Sequence, residues 1–268
     1  MIPKTIHYCW FGHGPLPELA QKCIASWRKY LPDYEIKEWN ESNFDVNVIP
    51  YTSEAYSKGK YAFVSDYARF WVLFRYAGIY FDTDVEVIRP MDDIIERGNF
   101  MGFETDPARV CKAHPEKERK TENASEASVN PGLGLGVAPG LDLVKRMLDF
   151  YEGKHFVYEA NMRNQITVVH IATEILLQCG LKHTSGIQKV EDNCYIYPAE
   201  YFCPINVTTG RLHITPNTRT IHHYAGTWTN RRFSVAELLK RILPEQLVLA
   251  LMKIKGKIKL LHYMIDKI

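Results

Sequence analysis

Apolar residues along this chain fall into two rhythms that alternate in its first third. The segment "KTIHYCWFG" is a short β-rich run broken by Gly12, Gly14, Pro15 and Pro17, which predicts an opening strand. In "PELAQKCIASWRKY", Leu19, Cys23, Ile24 and Trp27 recur at helical spacing, and "YEIKEWN" then predicts a second strand. Strand, helix, strand within forty residues is the pattern of a βαβ unit in a mostly parallel sheet. "YAFVSDYARFWVLFRYAG" follows as a dense apolar helix, with Ser65 or Asp66 as N-cap and Gly78 as its stop. "IYFDTDVEVI" predicts a strand with a polar interruption, and "RPMDDIIERG" a turn and short helix.

Residues 104–129 are polar and weakly periodic, which predicts a long excursion. "NPGLGLGVAPG" predicts turn, strand, turn; "LDLVKRMLDFYEG" and "NQITVVHIATEILLQCG" predict helices. A hairpin is expected around Thr209-Gly210, and "TRTIHHYAGTWTN" as a last strand entering a polar loop. The final stretch repeats Leu and Ile at helical spacing while Lys253, Lys255, Lys257 and Lys259 crowd together. It reads either as a helix packed on the core or as a basic amphipathic helix on an anionic membrane surface. The expected organisation is one α/β domain over 1–232 and a helical extension over 233–268.

Composition narrows the class. With 33 Lys+Arg against 31 Asp+Glu, the chain has no basic excess to displace counterions, so nucleic acid is not an expected partner. Its six cysteines show no CxxC and no regular spacing, which predicts reduced thiols in a reducing compartment. The start "MIPKTIHYCWFG" has no long apolar segment and no run approaches eighteen apolar residues, so neither a signal peptide nor a membrane span is expected. The location expected is cytoplasmic, with peripheral attachment to the inner membrane face if the final helix lies on lipid.

The chemistry concentrates at Asp82 and Asp84. On a strand, residues two apart share a face, so both carboxylates can converge on one divalent cation. A solvated Asp-Thr-Asp turn is the plain alternative, although strand ends are where open α/β sheets bind ligands. An EF-hand is excluded, because Val87 and Asp93 stand where that loop needs Gly and Glu. On the preceding helix, Ser65 and Arg69 share a face beside Asp66, offering a bidentate donor for a phosphate or sugar hydroxyl. His170, on an apolar helix, reads as a core histidine.

Together "IPKTIHYCWFG", "SDYARFWVLFRYAGIYFDTDVEV", "VNPGLGLGVAPG", "IYPAEYFCP" and "IHHYAGTW" resemble, in order, segments of glycosyltransferase family 32, over roughly residues 2–230. That family groups DXD-containing sugar transferases of bacterial capsule and O-antigen synthesis, and is distantly related to clostridial toxin glucosyltransferase domains. The resemblance implies a GT-A fold, a nucleotide-diphosphate sugar as donor (a UDP-sugar above all), Mn²⁺ or Mg²⁺ as cofactor, and a saccharide or lipid-linked acceptor. It also implies retention at the anomeric carbon. Trp10 matches a base-stacking tryptophan, with Ile6, Tyr8, Phe11 and Gly12 around it. Ser65, Asp66, Arg69, Tyr80 and Thr83 match donor contacts, and Trp228 a tryptophan near the diphosphate. Asp82 and Asp84 match the metal carboxylates, and Asn130 an asparagine facing the acceptor. His222 and His223 compete to be the third metal ligand, since strand alternation sends them to opposite faces. Ala77-Gly78 departs mildly from a glycine pair, and "TVVHIAT" replaces the usual Thr-Gly-Pro segment. The competing functions are a metal-dependent phosphohydrolase or nucleotidyltransferase, and a non-catalytic nucleotide-sugar binder.

Overall fold

The computed structural model describes residues 1–108, 127–158, 165–206, 210–226, 243 and 247–248. The chain forms two units, one of residues 1–204 with 214–228 and one of 205–213 with 229–268. The predicted extension over 233–268 and Trp228 lie outside the described residues, apart from 243 and 247–248. In the second unit, Ile205 and Leu212 bridge antiparallel.

In the first unit, β1 (Thr5–Cys9), α1 (Glu18–Tyr30) and β2 (Glu35–Trp39) form the expected βαβ unit, with Thr5 through Cys9 paired in parallel to Glu35 through Trp39. The buried stripe of α1 is Ala20, Cys23, Ile24 and Trp27, and the Trp27 indole N–H donates to the Val85 carbonyl at 2.7 Å. After α2 (Pro50–Ser57) comes α3 (Tyr61–Tyr76), a full turn longer at its start than expected. Neither Ser65 nor Asp66 caps it: Ser65 Oγ donates to the Tyr61 carbonyl inside the helix. Phe63 and Val64 are buried, and that burial carries the helix back past the polar pair.

The expected strand over 79–88 divides. β3 (Gly78–Tyr80) joins the main sheet, whereas β4 (Val85–Val87) pairs antiparallel with β10 (Thr220–His222) in a separate ribbon. The remaining strands are β5 (Asn99–Thr105), β6 (Ser128–Val129), β7 (Leu135–Val137), β8 (Gln188–Val190) and β9 (Cys194–Tyr197). The helices are α4 (Asp92–Ile95), α5 (Asp142–Tyr151), α6 (Val168–Gln178) and α7 (Ala199–Phe202). β5 runs through Thr105, so the polar excursion begins after it, not at Glu104.

The main sheet has the order β2-β1-β3-β7-β5-β9-β8, with β6 beside β5. It is mixed rather than mostly parallel, because β7 runs antiparallel to both β3 and β5, and β8 to β9. β1, β2, β3, β5 and β9 nonetheless share one direction, so their carboxyl ends line one edge. A core of Trp27, Trp39, Phe70, Phe81, Phe100 and Phe202 fills the space around that sheet. The cysteines at 9, 23, 179, 194 and 203 are all buried, and burial pushes Cys9 up to about 12. His170 is exposed and hydrogen-bonded to Thr167 Oγ1 at 3.0 Å, not part of the core.

Candidate active site

The carboxyl edge of the sheet gathers the polar residues that the sequence scatters. Glu41 follows β2, Trp10 follows β1, Asp82 follows β3, and Glu104 lies near the end of β5. Residues 130–134 approach the same edge, because they precede the oppositely running β7.

Asp82 and Asp84 do not share a strand face. They sit in the turn between β3 and β4, closed by the Val85 N–H donating to the Asp82 carbonyl at 3.0 Å. The turn still brings the carboxylates together: ligand atoms of Asp82, Asp84 and His222 all lie within 4.8 Å of one another. His222 Nε2 is 3.1 Å from Asp84 Oδ1, while His223 Nε2 meets Glu86 Oε2 at 2.8 Å on the other side. Alternation along the β10 backbone separates the two rings as expected and directs His223 away from the cage. Three groups of one segment hold Asp84, since the His223 N–H also donates to its carbonyl and the Ala225 N–H to its Oδ2, at 3.0 and 2.8 Å. Tyr224 makes that wrap with a left-handed φ of 53° and packs edge-on against His222, 4.2 Å between centroids.

Burial pushes the Asp84 carboxyl up, but the His222 charge and the hydrogen bonds from His222 and Ala225 outweigh it and hold it at about 2. Burial lowers His222, and the facing Asp84 more than reverses this, leaving it above its usual value. His222 Nδ1 is buried with no hydrogen-bond partner. Two carboxylates and an imidazole form a mixed O,O,N donor set that fits a divalent cation such as Mn²⁺ or Mg²⁺.

Arg69 borders the cage. Its Nη2 lies 2.9 Å from Asp66 Oδ1 and 3.3 Å from Asp82 Oδ1, and its guanidinium stands 4.9 Å from the Tyr80 ring centroid. Tyr80 in turn donates its hydroxyl to Asp82 Oδ1 at 3.0 Å. Arg69 Nη1 is buried and has no partner, although a guanidinium donor left unpaired in the interior is costly. Burial pushes Asp66 up to about 7 against the pull of Arg69. Ser65 and Thr83 are half-buried beside these groups in sequence.

Gly132, which sequence reasoning passed over, fits against the cage: its carbonyl accepts from the Asp82 N–H at 3.0 Å, and an added Cβ would lie 2.7 Å from Asp82 Cγ. Asn130 shapes that loop, its Oδ1 accepting from the Gly132 N–H at 2.8 Å while its Nδ2 donates to Glu104 Oε1 at 3.0 Å. Glu104 Oε1 also accepts from Tyr224 Oη at 3.1 Å. Glu104 carried no motif of its own; Gly132 and Tyr224 lie inside the segments "VNPGLGLGVAPG" and "IHHYAGTW" but had no role assigned there.

Three of the expected donor contacts have side chains committed elsewhere. Ile6 is fully buried, Phe11 packs on Phe44, and Tyr8 donates its hydroxyl to Glu38 while its ring meets Trp27. Alternating strand residues that build the core cannot also face the edge, so only their backbone remains for a ligand. Trp10 is half-buried, and Gly12 lies under the Tyr61 ring.

Residues 17–101 match the profile of the glycosyltransferase sugar-binding region containing a DXD motif. That match takes in under a third of the chain and includes Asp82 and Asp84, which stand at the carboxyl edge of the α/β sheet. The chain is 28% identical over 117 residues to inositol phosphoceramide mannosyltransferase 1 of Schizosaccharomyces pombe, and 27% identical over 127 residues to inositol phosphoceramide mannosyltransferase 3 of the same organism. These stretches are 40% and 42% of this chain, which spans 35% of the length of each of the two relatives. The solved PaToxG glycosyltransferase superposes with a TM-score of 0.45 at 18% identity, over 66% of this chain and 69% of that one.

Proposed function

We propose that the protein is a metal-dependent, retaining glycosyltransferase that moves a hexose from a nucleotide-diphosphate sugar to a saccharide acceptor. The observation that carries this reading is the unpaired, buried Arg69 Nη1 beside the Asp82–Asp84–His222 cage. A cation site and an unsatisfied guanidinium donor, adjacent and partly buried, suit a diphosphate better than a lone metal or a lone sugar. A divalent cation held by Asp82, Asp84 and His222 would neutralise charge building on the departing diphosphate. Arg69 supports the same charge from the protein side, fixed by Asp66 and by the Tyr80 ring. Asp66 is engaged by Arg69 and would bind the donor sugar rather than attack it. Asn130, Glu104 and Gly132 shape the adjoining wall, the side we assign to the acceptor.

UDP-galactose, UDP-N-acetylgalactosamine and UDP-glucose remain the first donors to try, and since the matched relatives are named mannosyltransferases we add a mannose donor, GDP-mannose, to the set. We further propose a lipid-linked acceptor in cell-surface polysaccharide synthesis, with Lys253–Lys259 holding the protein to the cytoplasmic membrane face. Incubation of each sugar nucleotide with the protein and Mn²⁺ should release free diphosphate nucleotide with one donor, and Asp84→Asn should abolish it. Turnover unchanged in Asp84→Asn would overturn the reading. Diphosphate cleavage without sugar transfer to any acceptor would favour a phosphohydrolase. Among the described residues one acidic cluster of metal-binding type is present, which does not suit a two-metal hydrolase.

A further inference from the structure

Trp10, Gly12 and His13 lie in a loop whose shape its own residues do not favour. Gly12 has φ 97° and His13 φ 58°, two left-handed residues in succession and one of them not glycine. Such a backbone persists only when its surroundings fix it. The fixing groups come from outside the loop. Glu41, two residues past the end of β2, accepts from the Gly12 N–H with Oε1 at 2.6 Å, and its Oε2 stands 3.8 Å from His13 Nδ1. The Tyr56 hydroxyl meets His13 Nε2 at 3.4 Å and also hydrogen-bonds Glu41. The Tyr61 ring covers Gly12 so closely that a Cβ there would stand 2.7 Å from its Cδ2. The root of the loop is pinned as well, by the Trp10 N–H donating to the Trp39 carbonyl at 2.9 Å and the Trp10 indole N–H to the Gly14 carbonyl at 2.7 Å.

Sheet order places this clasp on the same edge as the cation cage. β2, β1 and β3 are adjacent and parallel, so Glu41, Trp10 and Asp82 follow three neighbouring strands at one edge. With strands about 4.8 Å apart, Glu41 stands roughly 10 Å from the cation cage, about the span from a diphosphate to its nucleoside. We propose that Glu41 is a positioning residue for donor binding, holding the Trp10–Gly14 loop in the shape that presents Trp10 to the nucleoside. This rests on the donor reading above. Glu41 acts through the loop and need not touch the ligand.

The test measures loop and ligand separately. In Glu41→Ala, amide hydrogen exchange at Gly12 should rise, and calorimetric affinity for UDP or GDP with Mn²⁺ should fall about tenfold, the worth of one hydrogen bond to a charged group. KM for the donor should rise by a similar factor while kcat stays near wild type. Glu41→Gln keeps an acceptor for the Gly12 N–H and should recover most of the affinity. In a Trp10→Ala background, Glu41→Ala should add less than about twofold, because coupled residues are not additive. Should Glu41→Ala fail to fold, Tyr56→Phe removes one group of the clasp and should weaken nucleotide binding while leaving kcat in place. Unchanged nucleotide affinity despite faster Gly12 exchange would overturn the proposal, as would additive effects with Trp10→Ala or a fall in kcat alone. A wild-type protein that binds neither UDP nor GDP would bring down the donor reading, and this inference with it; the exchange result at Gly12 would still identify the clasp.

Discussion

Protonating His7 should destabilise this protein from its centre. His7 lies on β1, 1% exposed, with both ring nitrogens engaged: the Nε2–H donates to the Ala77 carbonyl at 2.8 Å, and Nδ1 accepts from the Trp39 indole at 3.1 Å. That pairing fixes the neutral Nε2–H tautomer, since an Nδ1 proton would confront the Trp39 N–H. Burial lowers the ring to about 4, the Ala77 hydrogen bond opposing it only partly. The unfolded chain therefore binds the proton first as pH falls. The stabilisation is complete above the unfolded value near 6.5 and is lost as pH drops toward the folded value. Linkage gives a loss of about 2 kcal/mol by pH 5 and about 3 kcal/mol by pH 4. Carboxylates titrate over part of this range too, so the assay compares urea unfolding at pH 7.5 and 5.0 in the wild type and in His7→Gln. Gln can donate to Ala77 and accept from Trp39 without a titrating proton. The variant should lose about 2 kcal/mol less than the wild type between the two pH values. Equal losses in both would refute the assignment.

Three further outcomes follow from the site and its supports. Mn²⁺ affinity, titrated by calorimetry, should fall about tenfold or more in His222→Ala and stay within about twofold in His223→Ala, because the latter ring serves Glu86. Gly132→Ala places a Cβ against the Asp82 carboxylate and should cost about 1–3 kcal/mol of stability in thermal melts, with loss of Mn²⁺ binding. Ala77 adopts φ 54° and ψ −166°, a region that glycine enters freely, so Ala77→Gly should stabilise by about 1 kcal/mol and raise Tm.

Much of the arrangement was legible where local pattern and global fold agree. The βαβ opening and the apolar α3 follow from spacing alone, because helix period and strand burial act over a few residues. The Asp82–Asp84 pair was legible as chemistry but not as geometry: alternation assumed a continuous strand, whereas the chain leaves the sheet after Tyr80 and turns. The expectation of a mostly parallel sheet failed at β7 for a related reason, since neither direction nor sheet partner is written in a three-residue apolar run. The choice between His222 and His223 depended on β10 joining β4, a pairing across more than a hundred residues. Ile6, Tyr8 and Phe11 show the reverse case, where likeness to a binding segment names residues whose side chains the core claims, leaving their backbone for a ligand.

The wrap around Asp84 has a consequence for the order in which the molecule is made. Ala225 lies 141 residues beyond the aspartate whose carboxylate it binds, and among the described residues β4 pairs with β10. While the chain is being synthesised, β1, β2 and β3 can pair long before residues 220–225 leave the ribosome. Until then Arg69, Tyr80 and Gly132 can hold Asp82, but Asp84 lacks the segment that wraps it and there is no imidazole to complete a cage. A nascent or truncated chain ending before residue 220 would thus carry the motif without the site, so its competence to hold a cation would report that the final segment had docked.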